Sequence, residues 1–167
     1  MEWAKFAEGG VKTAFKRVIL WYGVMLVVGL TLAWILGMRI NPEVLIAGAL
    51  FFYIDIFGID GGSIYALAKI LGGRASYERH VGFVSWWKLP ILVLQVVGLI
   101  LGKAFAWGTL LYYAFIAAEL GMFWVTFREI HKLSAWKSAL LVAIILTVML
   151  PLFLSDEAVR ELTNTIL

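Results

Sequence analysis

Apolar residues run in long blocks along this chain, and charged residues gather in short clusters between them. Residues 18–38 hold no charge before Arg39. The block 44–71 is interrupted by Asp55, Gly58, Asp60, Gly61 and Gly62, and 81–101 carries Lys88, Pro90 and Gln95. Residues 104–127 carry Glu119, and 136–154 have Pro151 near their end. Each block is long enough to cross roughly 30 Å of hydrocarbon at about 1.5 Å per residue, with its backbone hydrogen bonds made internally. The short alternating segments of a membrane β-barrel do not occur. The pattern predicts an all-α integral membrane protein, a compact bundle of five transmembrane helices at 18–38, 44–71, 81–101, 104–127 and 136–154.

The flanks read as interfacial segments. In 1–17, Trp3, Phe6, Ala7, Val11, Ala14 and Phe15 fall near helical spacing, with the lysines on other faces, as suits an anionic leaflet. At 155–167, Ser155 followed by Asp156 and Glu157 has the chemistry of a helix start, a capping hydroxyl and then acids at the positive end of the dipole. The first apolar block exceeds the 7–15 residues or so of a signal-peptide core, and no small-x-small cleavage site follows it, so it is expected to remain as a span.

Composition supports the membrane assignment. Hydrophobic residues make up 63% of the 167, and charged residues 15%, against roughly 45–50% and 25% in soluble domains. A soluble enzyme domain and a disordered chain are excluded, and with no Cys there is no disulfide scaffold. Orientation follows from Lys and Arg. Lys5, Lys12, Lys16, Arg17, Lys69, Arg74, Arg79, Arg128, Lys132 and Lys137 fall on one side; Arg39, Lys103 and Arg160 fall on the other. The positive-inside bias puts the N-terminus in the cytoplasm and the C-terminus outside. That basic side, with Arg74, Arg79, Arg128, Lys132 and Lys137 in its connections, is a candidate surface for anionic lipid headgroups or an acidic partner.

The charges inside spans carry the chemistry. Counted from the cytoplasmic ends, Lys88 lies about 10 Å deep, Glu119 about 12 Å, Asp60 about 16 Å and Asp55 about 24 Å. Lys88 is expected to pair with Glu119 or Asp60, leaving Asp55 deeper and alone. Three carboxylates against one ammonium do not balance, so an acid is protonated or a cation or water reaches it. In a regular helix Asp55 and Asp60 sit about 140° apart and do not converge. The Gly58-Ile59-Asp60-Gly61-Gly62 stretch is poor helix, and a local break there would expose carbonyls next to Asp60, as in the broken helices of transporters. With Gln95, these residues form a candidate ion or proton site; tight packing by the glycines and hydrogen-bonded glue is the plainer alternative.

Other chemistry is weakly signalled. Phosphate-binding loops, zinc-protease helices and nucleophile elbows are missing from the sequence, and no cofactor or nucleic-acid partner is expected. His80 and His131 lie in separate connections, a poor start for a metal site. An aspartyl intramembrane protease needs its two acids on facing helices, and here both are on one. Gly98-x-x-x-Gly102, and Gly29, Ala33 and Gly37, are small-residue faces that would pack within the bundle. Lys88 next to Trp86–Trp87 invites a cation–π contact.

Four stretches resemble the Yip-domain family of Ypt/Rab-interacting membrane proteins, in its short prokaryotic form. They are Tyr65-Ala66-Leu67-Ala68-Lys69-Ile70-Leu71-Gly72-Gly73-Arg74; Ser76-Tyr77 with Trp86 and Leu89-Pro90; Phe127-Arg128-Glu129-Ile130-His131-Lys132-Leu133-Ser134; and the 139–154 span with Pro151. The resemblance implies five spans with opposed termini, and a non-enzymatic role in membrane organisation or trafficking, since eukaryotic relatives bind prenylated Rab GTPases and one another. Self-association or a membrane-protein partner is expected accordingly. So is a cell membrane in a prokaryote or an internal membrane in a eukaryote. The alternative function is a small ion- or proton-handling protein, a transporter or channel, using the intramembrane carboxylates.

Overall fold

The computed structural model describes residues 9–37 and 42–154. The tail expected at 155–167, Arg39, Trp3, Phe6 and Ala7 lie outside the described residues. All regular elements within them are helical. Helix α1 is Gly10–Ile35; α2, Pro42–Tyr53, passes into a π-helical segment, Ile54–Ile64, and on into α3, Tyr65–Ile70. Helix α4 is Tyr77–Ala104; α5, Ala106–Val125, continues as a second π-helical segment, Thr126–Ile130; α6 is Ala135–Leu154. The stretches Gly10–Ile35, Ile46–Ile70, Tyr77–Gly102 and Leu110–Ile130 are long and apolar enough to cross a membrane, and Ala135–Val148 is apolar but shorter.

Burial runs opposite to that of a water-soluble bundle. Asp55, Asp60, Lys88 and Glu119 are buried, whereas Ile19, Val27, Trp34, Ile46, Leu110 and Val148 stand more than half exposed. A surface this apolar exceeds what a monomer keeps in water and suits hydrocarbon.

Helix α4 is the axis of the fold, packed between α1 and α5 and against the first π segment. Its buried Phe83, Val84 and Leu89 join Ile56, Phe123 and Phe127 in one core. Its start is set by Ser76, whose Oγ accepts from the Arg79 backbone N at 3.3 Å, with Glu78 in the positive first turn. Its end is a single extended residue, Phe105 (φ −144°, ψ 130°), which folds α5 straight back. The expected small-residue face at Gly98 does pack inside the bundle: a Cβ there would come 3.0 Å from the Tyr112 backbone N.

Helix α1 begins at Gly10 and runs unbroken through residue 18, so residues 10–17 extend the first membrane helix. Its Arg17 donates to the Gly82 carbonyl at 2.6 Å, tying α1 to α4.

Candidate functional site: a buried lysine among three carboxylates

Lys88 lies near the middle of α4, 3% exposed, and its ammonium meets all three intramembrane acids. Nζ is 2.6 Å from Asp60 Oδ2, 2.9 Å from Asp55 Oδ2 and 3.1 Å from Glu119 Oε1. It donates a hydrogen bond to Asp55 Oδ1 at 3.0 Å. Gln95 closes the far side, its Nε2 donating to Glu119 Oε2 at 2.9 Å. The five sequence-predicted residues therefore form one cluster. Pairing of Lys88 with Glu119 or Asp60 was too narrow an expectation, and Asp55 is not alone.

The first π segment is the reason. Hydrogen bonds from i to i+5 widen the turn, so residues five apart lie much closer to one face than in an α-helix. Asp55 and Asp60, which an α-helix would splay, thus face Lys88 together. The chain here is wound wide rather than broken. The wide turn also brings backbone close to α4. Tyr77 Oη donates to the Phe57 carbonyl at 3.2 Å, and a Cβ on Gly61 would meet the Ile56 carbonyl and Val81 Cγ2, each at 2.8 Å.

The aromatic neighbour of Lys88 is not the tryptophan pair. Its Nζ lies over the Phe123 ring, 5.5 Å from the centroid, and Trp87 meets that ring edge-on at 5.1 Å. Phe123 stands four residues after Glu119 on α5 and was not singled out from the sequence. Among buried atoms, both Asp60 oxygens, Asp55 Oδ2 and Trp87 Nε1 have no hydrogen-bond partner among the described residues.

Toward the end of the bundle that carries the 71–76 and 131–134 turns, the polar file continues. His80 Nε2 donates to the Asp60 carbonyl at 2.9 Å, and His131 Nε2 lies 2.8 Å from His80 Nδ1. The carbonyl only accepts, so His80 carries its proton on Nε2 and accepts on Nδ1, and His131 donates from Nε2. Both rings are then neutral. The expected poor metal site is a hydrogen-bonded pair, and a carbonyl at its end cannot relay a proton to the carboxylates. His131 owes its place to the second π segment, where its backbone N bonds the Thr126 carbonyl, five residues back, at 3.1 Å. Burial pushes this imidazole down to about 3, with His80 and Lys69 lowering it further. Along α4, His80, Lys88 and Gln95 recur at two-turn intervals and span about 22 Å. That spacing was visible in the sequence and is the signal that links them.

The two turns are joined. The Arg74 backbone N donates to the His131 carbonyl at 2.9 Å, Arg128 reaches the Leu133 carbonyl at 2.9 Å, and Lys137 reaches the Leu71 carbonyl at 2.7 Å. Of the five residues expected to form a basic face, Arg128 and Lys137 thus cap carbonyls. Arg74, Arg79 and Lys132 are exposed, the last 3.5 Å from Glu129. Gly72 (φ 93°) and Gly73 end α3 as a Schellman turn, with Gly72 N on the Lys69 carbonyl and Gly73 N on that of Ala68.

Among the described residues no group of three His, Cys, Asp or Glu side chains is arranged to hold a metal ion. The position that three carboxylates would offer a cation is filled by the Lys88 ammonium. Comparison with known proteins found no matching family model, no matching curated protein and no matching solved structure.

Proposed function

We propose that this chain is a small proton-handling membrane protein in which the Lys88 cluster takes up and releases protons. The observation that carries this reading is the charge count at the ammonium. Asp55, Asp60 and Glu119 all lie within 3.1 Å of one Lys88 Nζ. With every acid ionised the cluster would carry two net negative charges in a medium that solvates neither. It must bind positive charge to exist. The ammonium already occupies the cation position, so a proton on a carboxylate is the simplest way to supply it. The polar file along α4 gives the cluster neighbours on both sides.

The topology belongs to the same proposal: five spans, with α6 as the fifth, the N-terminus in the cytoplasm and the C-terminus outside. The basic bias supports it, as does the joining of the two basic turns at one end through Arg74 and His131. The chain has no Cys, so single cysteines placed at residues 12 and 160 can be labelled from each side without background. Labelling of both from the same side overturns the topology.

For the function, the purified protein is reconstituted in liposomes holding a pH-sensitive dye, under an imposed potassium diffusion potential. Proton flux above that of empty vesicles is expected, and it should be lost in Asp60→Asn. Flux equal to empty vesicles refutes the reading.

A second reading is a membrane-organising or partner-binding protein of the Yip-domain type. It is favoured by the interlocking of two of the family-like stretches, Gly72–Arg74 with His131–Leu133, which leaves Arg74, Arg79 and Lys132 exposed at one end. There they would meet anionic headgroups or an acidic partner. Pull-down from native membranes, with those three residues neutralised, tests it; undiminished capture of partner and lipid sinks it.

A further inference from the structure

We infer that Asp60 is the carboxyl of this cluster that carries the exchangeable proton, on Oδ1; its role in transport rests on the proton-handling reading, but its protonation does not. The three acids are not equivalent. Glu119 has both oxygens engaged, Oε1 by the Lys88 ammonium at 3.1 Å and Oε2 by the Gln95 amide, so a proton on either would displace a contact. Asp55 accepts a directed hydrogen bond from Lys88 at Oδ1, and its Oδ2 lies 2.9 Å from the same Nζ. Asp60 is the odd one. Its Oδ2 lies 2.6 Å from Nζ, but its Oδ1 has neither an ammonium contact nor a hydrogen-bond donor among the described residues. It is also the most buried of the three, at 0% exposure against 5% for Asp55 and 6% for Glu119.

An ionised carboxylate needs several donors when it leaves water, and a neutral acid needs far fewer. The acid with the fewest donors and the deepest burial is therefore where a proton costs least. Oδ2 then acts as the carbonyl oxygen beside the ammonium, and Oδ1 holds the hydrogen. The groups facing Asp60 are consistent with this. Lys88 comes from α4, Asp55 from its own segment and Glu119 from α5; the neutral His80 ring meets only its backbone carbonyl. On release the Oδ1–H bond breaks, the electron pair stays on Oδ1 and the proton passes to water. Lys88 keeps all its N–H bonds, and uptake is the reverse.

Infrared spectroscopy of the full-length protein in lipid at neutral pH tests the assignment. A protonated-carboxyl C=O band is expected. It should shift when the protein is labelled with ¹³C-aspartate and stay put with ¹³C-glutamate, which needs no variant. The band should vanish in Asp60→Asn and persist in Asp55→Asn. Asp60→Asn mimics a neutral acid, so it should also melt within a few degrees of wild type. A band that shifts with glutamate labelling overturns the assignment, as does one that survives in Asp60→Asn, an absent band, or an Asp60→Asn chain that does not fold. If the band belongs to Asp60 but vesicles show no flux, the assignment stands and the proton-handling function fails. If flux occurs with the band on another acid, the function stands and the assignment fails.

Discussion

Replacing Lys88 by Met keeps the length of the side chain and removes the only cation within the cluster. Asp55 and Glu119 would then face each other's charge without an ammonium 2.9–3.1 Å away. The cheapest response is to take protons from solvent. For a carboxyl with an ordinary solution value near 4, that costs about 4 kcal/mol per group at pH 7 and about 1.4 kcal/mol at pH 5. One or both groups must do so, giving a loss of about 4–8 kcal/mol at pH 7, comparable with the whole stability of many domains. Truncating one partner of a buried ion pair typically costs about 3–5 kcal/mol, which agrees with the lower figure. The sign with pH follows: the variant takes up protons on folding, so its stability falls as pH rises.

Unfolding of wild type and Lys88→Met, followed in lipid–detergent bicelles at pH 7 and pH 5, measures the gap directly. It should shrink by about 3 kcal/mol or more on acidification. Adding Asp55→Asn and Glu119→Gln to Lys88→Met should restore much of the loss, because removing the whole ionic group is far milder than leaving part of it. A variant as stable as wild type at pH 7, or a gap of equal size at both pH values, refutes the reasoning.

Gly73→Ala should destabilise by about 1–3 kcal/mol, since its Cβ would come 2.5 Å from His131 Nδ1 and 2.7 Å from the Ala68 carbonyl. Changed imidazole ¹⁵N shifts would show the loss of the histidine pair. Lys132 is left-handed at φ 57°, so Lys132→Gly should leave stability unchanged or raise it by up to about 1 kcal/mol in thermal melts; a clear loss there would mean that its exposed pairing with Glu129 matters. His131 is held down to about 3 by burial, then by His80 and Lys69, whereas an unfolded His protonates near 6.5. Its contribution is complete above pH 6.5 and is lost as pH falls toward 3, about 2 kcal/mol of it between pH 7 and 5. His131→Asn should flatten that part of the stability-versus-pH curve, and an unchanged slope would refute it.

The helical architecture was legible because a membrane demands it locally. A block such as 18–38 can satisfy its backbone in hydrocarbon only as a helix, so composition along the chain is nearly sufficient. The candidate residues were legible for the same reason, since an ion in an apolar block is conspicuous. Their arrangement was not. Depth along a straight helix kept Asp55 apart from Lys88, and regular winding splayed it from Asp60; the wide turns of Ile54–Ile64 undo both.

The histidine pair was equally hidden, because His80 and His131 are fifty-one residues apart in sequence and meet only where two connections interlock. That two of the five basic-face residues, Arg128 and Lys137, also reach carbonyls was not legible, because the positions of those carbonyls depend on how the helices end. What the amino-acid order determined alone was helix, apolar exterior and which ions are buried, since each follows from the transfer energy of a residue and its near neighbours. How the helix winds through Gly58–Gly62, and which acids therefore share one ammonium, was decided by packing against α4, where the cost of a widened turn is offset by ion pairs that no single helix can make.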